Sequence, residues 1–343
     1  MPSLSDLALA TSVADLLRAA AETSEQPIVF VRPDGGEQLV SYAELLGAAE
    51  QVAAALREAG VAPRSTLLLA CDQGPQFLPT FWGALLADVV PVPLANEAER
   101  VVAVWQALDR PAMGCDPSLL EAFGEQAPSG QAWRDGLVFC AALGDAPPLD
   151  ASIAYLQFSS GSTATPRGVE LTHAALLANL RQIITACSIT SADVVVTWMP
   201  YYHDMGLIAM HLVPVALGLK QVSIDPLHFA RRPSVWLEAA SRHHGTLLTA
   251  ATFALALVTQ RVGSAQVAAL DLSAVRMLAV GAEPVAPSIC RAFVEHLAAA
   301  RFDPLALIAV YGLAEACAGV TCTPLGTGLR TYSFDRAALV RGE

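Results

Sequence analysis

Charge is scarce in this chain. Only 15% of its 343 residues are charged, and 20 basic residues face 32 acidic ones, leaving a formal net charge of −12. An acidic balance of that kind argues against a nucleic-acid partner. Cysteine pairs are missing too: seven cysteines occur, at 71, 115, 140, 187, 290, 317 and 322, an odd number with no CxxC spacing. That excludes zinc-type spacing, gives no disulfide framework, and reads as buried reduced thiols in a cytoplasmic protein. Residues 1–10 carry neither a basic n-region nor a long apolar run, so no secretory signal is evident. Later apolar runs are broken by charge, proline or polar residues before they reach membrane-spanning length. No fixed-period repeat appears. What is abundant is apolar side chain, 54% of the total, which excludes disorder and suits two or more packed lobes.

The patterning is that of alternating strands and helices. Ser12 opens a helix with apolar Val13, Leu16, Leu17 and Ala20 on one side, residues 27–31 read as a strand, and 33–36 as a turn. Ser41 and Glu44 form a capping box for a helix with apolar Leu45, Ala48, Val52 and Leu56, which ends near Gly60. Residues 67–70 predict a buried strand, 77–87 a helix and 89–94 another strand, the succession of a parallel sheet covered by helices. Residues 109–149, rich in proline and glycine, read as the loosest part of the chain and a lobe boundary. Further strands are predicted at 194–198, 220–224, 246–249, 277–280 and 307–310. Beyond 323 the glycines and aromatics predict turns with a short hairpin or extended segment.

One stretch stands out. The apolar strand Ile153, Ala154, Tyr155, Leu156 and Phe158 breaks into Ser159, Ser160, Gly161, Ser162 and Thr163, followed by Thr165, Pro166, Arg167 and Gly168. Backbone N–H groups, hydroxyls, glycines for close approach and one cation are what a polyphosphate requires. The spacing is not that of a Walker A motif, and a Ser/Gly-rich stretch by itself also describes an unliganded loop. Three other stretches follow probable strands. The first is Met199-Pro200-Tyr201-Tyr202-His203-Asp204-Met205-Gly206. It lies at the strand edge where ligands gather in open α/β sheets, although a lone histidine also fits a structural role. Asp204 either orients His203 or caps the next helix. The second, Gly281-Ala282-Glu283-Pro284, also describes an ordinary strand-to-helix turn. The third is Tyr311-Gly312-Leu313-Ala314-Glu315, in which Glu315 alone would pass for a solvated charge.

Taken in order, these stretches resemble the adenylate-forming enzymes: acyl-CoA synthetases, fatty acyl-AMP ligases and the adenylation domains of peptide synthetases. Residues 83–94 extend the likeness into the N-terminal region. Two departures occur in the phosphate loop. Ala164 stands where the family often has glycine, and Arg167 where it usually has lysine; arginine keeps the charge but presents a planar fork. The stretch around His203 and the tail at 331–339 are most like the fatty acyl-AMP ligases.

The resemblance implies an α/β fold of two packed lobes with largely parallel, helix-covered sheets, at 1–150 and 151–322. The start of a small β-rich subdomain would occupy 323–343, and no C-terminal lid domain is expected. It implies ATP-dependent activation of a fatty or other carboxylic acid to an acyl-adenylate with release of pyrophosphate. The acyl group would then pass to an acyl carrier protein, as in lipid, polyketide or nonribosomal peptide biosynthesis. ATP would be held by Ser159, Ser160, Gly161, Ser162, Thr163, Arg167 and Gly168, with Gly281, Ala282, Glu283, Tyr311 and Gly312 around the adenine. Arg167, His203 and Glu315 are the expected catalytic residues. His203 would face the carboxylate, and Glu315 with Thr163 would hold Mg²⁺. Met205, Met210, Phe229 and Phe253 are candidate acyl-pocket residues, and each also fits ordinary core packing. No stretch matches the family's ribose-binding aspartate or its C-terminal lysine. The chain is therefore expected to be an N-terminal fragment that binds nucleotide weakly and turns over poorly alone. An acyl-CoA synthetase and a catalytically silent docking module remain the alternatives.

Overall fold

The computed structural model of the protein describes residue 7 and residues 9–126, 128–133, 136–158 and 166–342. In chain order the strands are β1 (Pro27–Val31), β2 (Glu37–Ser41), β3 (Thr66–Ala70), β4 (Val90–Leu94) and β5 (Ala112–Cys115). Next come β6 (Gly130–Ala132), β7 (Val138–Cys140), β8 (Ile153–Phe158), β9 (Gly168–Thr172) and β10 (Val194–Thr197). The last are β11 (Lys220–Ile224), β12 (Leu247–Ala250), β13 (Met277–Val280), β14 (Leu307–Gly312) and β15 (Gly319–Cys322).

They form an eight-stranded sheet in the order β15-β14-β13-β12-β10-β11-β1-β2, a five-stranded sheet β4-β3-β5-β7-β6, and the hairpin β8-β9. Strands from β14 across to β1 pair in parallel, with antiparallel β15 and β2 at the two edges. Because β1 and β2 join the larger sheet beside β11, the early part of the chain contributes to both sheets. Residues 109–149 are less irregular than their prolines and glycines predict. They supply β5, β6 and β7, and β5 runs parallel beside β3. Residues 323–335 form no strand among the described residues, and a short helix, Arg336–Arg341, follows. Of the two expected forms, turns with a hairpin or with an extended segment, the second is found: Gly326 and Gly328 take left-handed backbone conformations in a turn, and the chain runs on without strand pairing.

Local signals place the helices. In helix Val13–Thr23, Asp15 Oδ2 accepts from the Ser12 N–H at 2.8 Å. In helix Tyr42–Glu58, Ser41 Oγ accepts from the Glu44 N–H at 3.1 Å and Glu44 Oε2 accepts from the Ser41 N–H at 2.7 Å. Gly60, at φ +74°, turns the chain out of that helix. All seven cysteines are free thiols. Among the described residues no helix is long and apolar enough to cross a membrane.

Alternation along the larger sheet divides its interior in two. Val195, Leu247, Met277, Ala279 and Ile308 face a core shared with helices Val13–Thr23, Phe77–Leu86 and His173–Ala186. Val196, Leu248, Ala250, Leu278 and Val280 face a second core under helices Ser234–His243, Thr252–Arg261 and Pro287–His296.

A buried polar chain ties the first core together. Trp82 Nε1–H donates to His211 Nε2 at 2.9 Å, and His211 Nδ1 meets Gln221 Oε1 at 2.8 Å. Gln221 Nε2–H donates to the Tyr42 hydroxyl at 2.7 Å, which donates to the Leu219 carbonyl at 2.5 Å. The Trp82 donor requires a neutral imidazole with its proton on Nδ1. Burial pushes the His211 pKa down to about 4 from 6.5, against a smaller upward pull from Gln221. The unfolded chain thus binds a proton that the folded chain rejects, so this contribution is complete above pH 6.5 and is lost as pH falls toward about 4. We expect urea denaturation to show a loss of about 3 kcal/mol over that window. In His211→Gln the slope should be shallower; an unchanged slope would remove His211 as its source.

Candidate active site

Strand order fixes where a ligand can enter. From β10 the chain goes to β11 on one side, then returns past β10 to β12 on the other. The loops leaving β10 and β12 therefore diverge and open a crevice at the carboxyl ends of the strands. A cavity of about 580 Å³ lies there. Its interior wall is apolar, with Ile183, Val195, Met205, Ala209, Met210, Leu247 and Met277, while Arg100, Gln157, Tyr202, His203, Tyr311 and Glu315 bring polar groups to it. The arrangement can take a ligand with a charged end and a long apolar part.

β8 and β9 bracket the Ser/Gly loop. Phe158 pairs with Gly168, and a Cβ on Gly168 would stand 2.9 Å from the Phe158 ring, so the glycine allows the two strands to close at the loop's base. Ser159, Ser160, Gly161, Ser162 and Thr163 lie outside the described residues. Arg167 is exposed at the foot of β9 and does not line the cavity.

His203 and Asp204 sit in the turn between β10 and a π-helix, Met205–Leu212. Asp204 does both things the sequence allows. Its Oδ1 accepts from the Met205 N–H at 2.6 Å, capping the helix, and lies 2.8 Å from His203 Nδ1. With Nδ1 engaged, Nε2 is the nitrogen available to a ligand. The turn is held from below: Gln157 Nε2–H donates to the Tyr202 carbonyl at 2.8 Å, and the Tyr201 N–H donates to Gln73 Oε1 at 2.8 Å. A Cβ on Gly206 would stand 2.0 Å from the Pro200 carbonyl oxygen, so only glycine lets the π-helix pack against this turn.

The turn after β13 is only partly as expected. Ala282 lines the cavity, in a left-handed conformation at φ +66°, a strained position of the sort found at functional sites. Gly281 and Glu283 do not line it. The space above Gly281 is filled by the Val310 carbonyl oxygen, 2.7 Å from where a Cβ would stand, so this glycine serves the close packing of β13 on β14. Glu283 Oε1 accepts from the Phe253 N–H at 2.6 Å, at the start of helix Thr252–Arg261. At the end of β14 and just past it, Tyr311, Gly312 and Glu315 all line the cavity, and Tyr311 is 60% exposed. Glu315 is exposed and forms no ion pair among the described residues.

Of the four candidate acyl-pocket residues, Met205 and Met210 line the cavity and Phe229 and Phe253 do not. Phe229 is buried in the second core, stacked on Trp198 with ring centroids 4.1 Å apart, and Phe253 meets the same indole edge-on. The sheet separates Phe229 from the cavity, and Phe253 is 54% exposed at the surface.

Several contributors carried no local signal. Arg100, from helix Ala98–Ala107 in the other lobe, lines the cavity and donates to the Phe158 carbonyl at 3.2 Å. The chain has a single lysine, Lys220, at the start of β11, so arginines must supply cationic contacts at the mouth. At the other end, Cys187 and Ile189 line the cavity, and their backbone is braced by Arg276. That guanidinium donates to both Asp193 carboxylate oxygens at 2.7 Å and to the Cys187 and Ser188 carbonyls at 3.1 Å. Burial alone would raise the Asp193 pKa. Arg276, with hydrogen bonds from Thr190 and Thr246, holds it below the usual carboxylate range.

An open parallel sheet with a half-polar, half-apolar cavity at its switch point defines a ligand-binding α/β protein of the nucleotide- and cofactor-binding class. The profile of the family described as AMP-binding enzyme matches residues 16–337, and the chain belongs to that family. It is 29% identical to the 4-hydroxyphenylalkanoate adenylyltransferase of Mycobacterium marinum, over 97% of this chain and 57% of that protein. It is 32% identical to the long-chain-fatty-acid–AMP ligase FadD32 of Mycolicibacterium smegmatis, over 90% of this chain and 52% of that one. Among solved structures, a fatty acyl-adenylate ligase from L. pneumophila in complex with acyl adenylate and pyrophosphate superposes with a TM-score of 0.84 at 26% identity. It covers 94% of this chain and 58% of that one. The chain thus spans a little over half the length of these relatives.

The shape of the His203 turn depends directly on Gly206. Gly206→Ala is expected to lose about 2 kcal/mol or more in urea unfolding, since the backbone must move to admit the methyl. A change within about 0.5 kcal/mol would show that the π-helix can shift off the turn freely.

Proposed function

We propose that the cavity activates a carboxylic acid of the fatty type as its acyl-adenylate, for transfer to the phosphopantetheine arm of a carrier protein. One observation carries this reading. A single cavity joins a polar mouth bearing His203, Tyr311 and Glu315 to an apolar interior bearing Met205, Met210, Leu247 and Met277. The named activities of the relatives support it, as does the acyl adenylate and pyrophosphate held by the L. pneumophila ligase.

In the proposed reaction a carboxylate oxygen attacks the α-phosphorus of ATP. The bond to the pyrophosphate bridging oxygen breaks, and pyrophosphate leaves with the electron pair. Both reactants are anionic, so the protein's part is placement and charge neutralisation. His203, oriented through Asp204, positions the carboxylate. Ser160, Ser162, Thr163 and Arg167 hold the β- and γ-phosphates, and Ser159, Gly161 and Gly168 complete the ATP loop. Arg100, on the Phe158 carbonyl, adds a cation at the loop's base. Tyr311 and Ala282 flank the adenine. Mg²⁺ is expected to be held by Glu315 and Thr163 and, when bound, offsets phosphate charge. An exposed carboxylate at the mouth, with no cluster of three acidic, histidine or cysteine ligands among the described residues, fits a metal held chiefly by phosphates.

Calorimetry with a fatty acyl-sulfamoyl adenosine, a stable mimic of the acyl-adenylate, tests the reading. Binding with one molecule per chain is expected, and His203→Ala should weaken it by about tenfold, or 1.4 kcal/mol. Glu315→Gln should weaken ATP·Mg²⁺ while leaving the mimic, which has no triphosphate, nearly unaffected. Absence of mimic binding by the wild-type chain would overturn the proposal.

A further inference from the structure

One polar atom in the cavity wall has no partner. Thr249, on β12, is 2% exposed and lines the cavity, yet its hydroxyl makes no hydrogen bond. Two nearby buried threonines are satisfied: Thr197 Oγ1 accepts from the Met199 N–H at 3.0 Å, and Thr252 Oγ1 donates to the Pro284 carbonyl at 3.3 Å. Thr197 follows the Val196–Leu248 pair on the neighbouring β10, but its hydroxyl is engaged with the Met199 N–H and makes no hydrogen bond to Thr249; the other neighbours on that face are apolar. Leu247 precedes it by two residues, Ala279 pairs beside it on β13, and Val195 and Met277 complete the same apolar wall. A buried hydroxyl left unpaired is destabilising by about 1–3 kcal/mol, and valine would fill the same shape without that penalty. The missing partner is therefore sought in the ligand.

Position along the strand says where on the ligand. Thr249 is the last residue but one of β12, next to the edge that carries the mouth, whereas Leu247 lies two residues deeper. At about 3.3 Å per residue, that places Leu247 some 6–7 Å further in. Ala279, the small neighbour in register, leaves room beside the hydroxyl. Resting on the reading of the cavity as an acid-activating site, we propose that Thr249 selects acids bearing an oxygen on the α- or β-carbon. The threonine hydroxyl would hydrogen-bond that oxygen beside the carboxylate held at His203. A threonine hydroxyl both donates and accepts, so hydroxy and oxo acids share the required chemistry. Thr249 is in this sense a specificity-determining residue: it bonds the substituent and takes no part in the bond made at phosphorus.

The test compares octanoyl, β-hydroxyoctanoyl and β-oxooctanoyl sulfamoyl adenosines by calorimetry on the full 343-residue chain. The wild type is expected to bind one or both oxygenated mimics about tenfold more tightly than the plain one, and the two arms tell hydroxy from oxo. Thr249→Val should abolish that preference by weakening the oxygenated mimics alone, while Thr249→Ser should retain it. Unliganded Thr249→Val should unfold at no lower urea concentration than wild type, because it removes an unpaired hydroxyl. Equal wild-type affinity for all three mimics, or a preference that survives in Thr249→Val, would overturn the role of Thr249 and leave the acid-activating reading standing. Failure of all three mimics to bind the wild type would overturn both.

Discussion

The position of β10 between β11 and β12 governs the rest of the molecule. Parallel strands need crossovers, and crossovers keep to one hand, so a strand followed by neighbours on opposite sides sends its connections to opposite faces. The crevice between them is a topological consequence and needs no dedicated side chain. Period-two alternation then gives Val195, Leu247, Met277 and Ala279 to the cavity side and Val196, Leu248, Leu278 and Val280 to the opposite core.

The cavity's two ends are held by different physics. Its interior is wall, made by strand residues with no freedom to move independently. Its mouth is made of turns, and turns need tethers. Gln73, Gln157 and the close approach at Gly206 fix the His203 turn, and the bidentate Arg276–Asp193 pair braces the backbone of Cys187 and Ser188 at the other end. Apart from the Gly206–Pro200 approach, each tether joins groups far apart in sequence. The buried chain from Trp82 through His211 and Gln221 to Tyr42 does the same for the π-helix, tying it to helices from the other part of the fold.

Much of the fold was legible because local signals and periodicity agree with it. The capping box at Ser41, the strand at 220–224 and the order of the four site stretches all lie in short windows of sequence. The misreadings share one cause. Phe229 has the composition of a greasy pocket but sits across the sheet from it, Phe253 turns outward to 54% exposure, and Gly281 has the look of a ligand contact but packs on Val310. In each case facing direction decided the matter. Residues 109–149 looked loose because proline and glycine are frequent there, yet short strands beside an existing sheet tolerate them. Arg100 left no local signal because it comes from a helix of the other lobe.

By itself the sequence determined the run of elements, the family to which the chain belongs and which residue types stand at the strand ends, since these follow from propensity, period and motif within short windows. Tertiary structure alone decided which of those residues share a cavity. It brought Arg100 to the base of the Ser/Gly loop, set Arg276 behind Cys187, and left Thr249 without a partner in an apolar wall. Pairing order and long-range hydrogen bonds assign a side chain its surroundings, and neither is written in any single stretch of the chain.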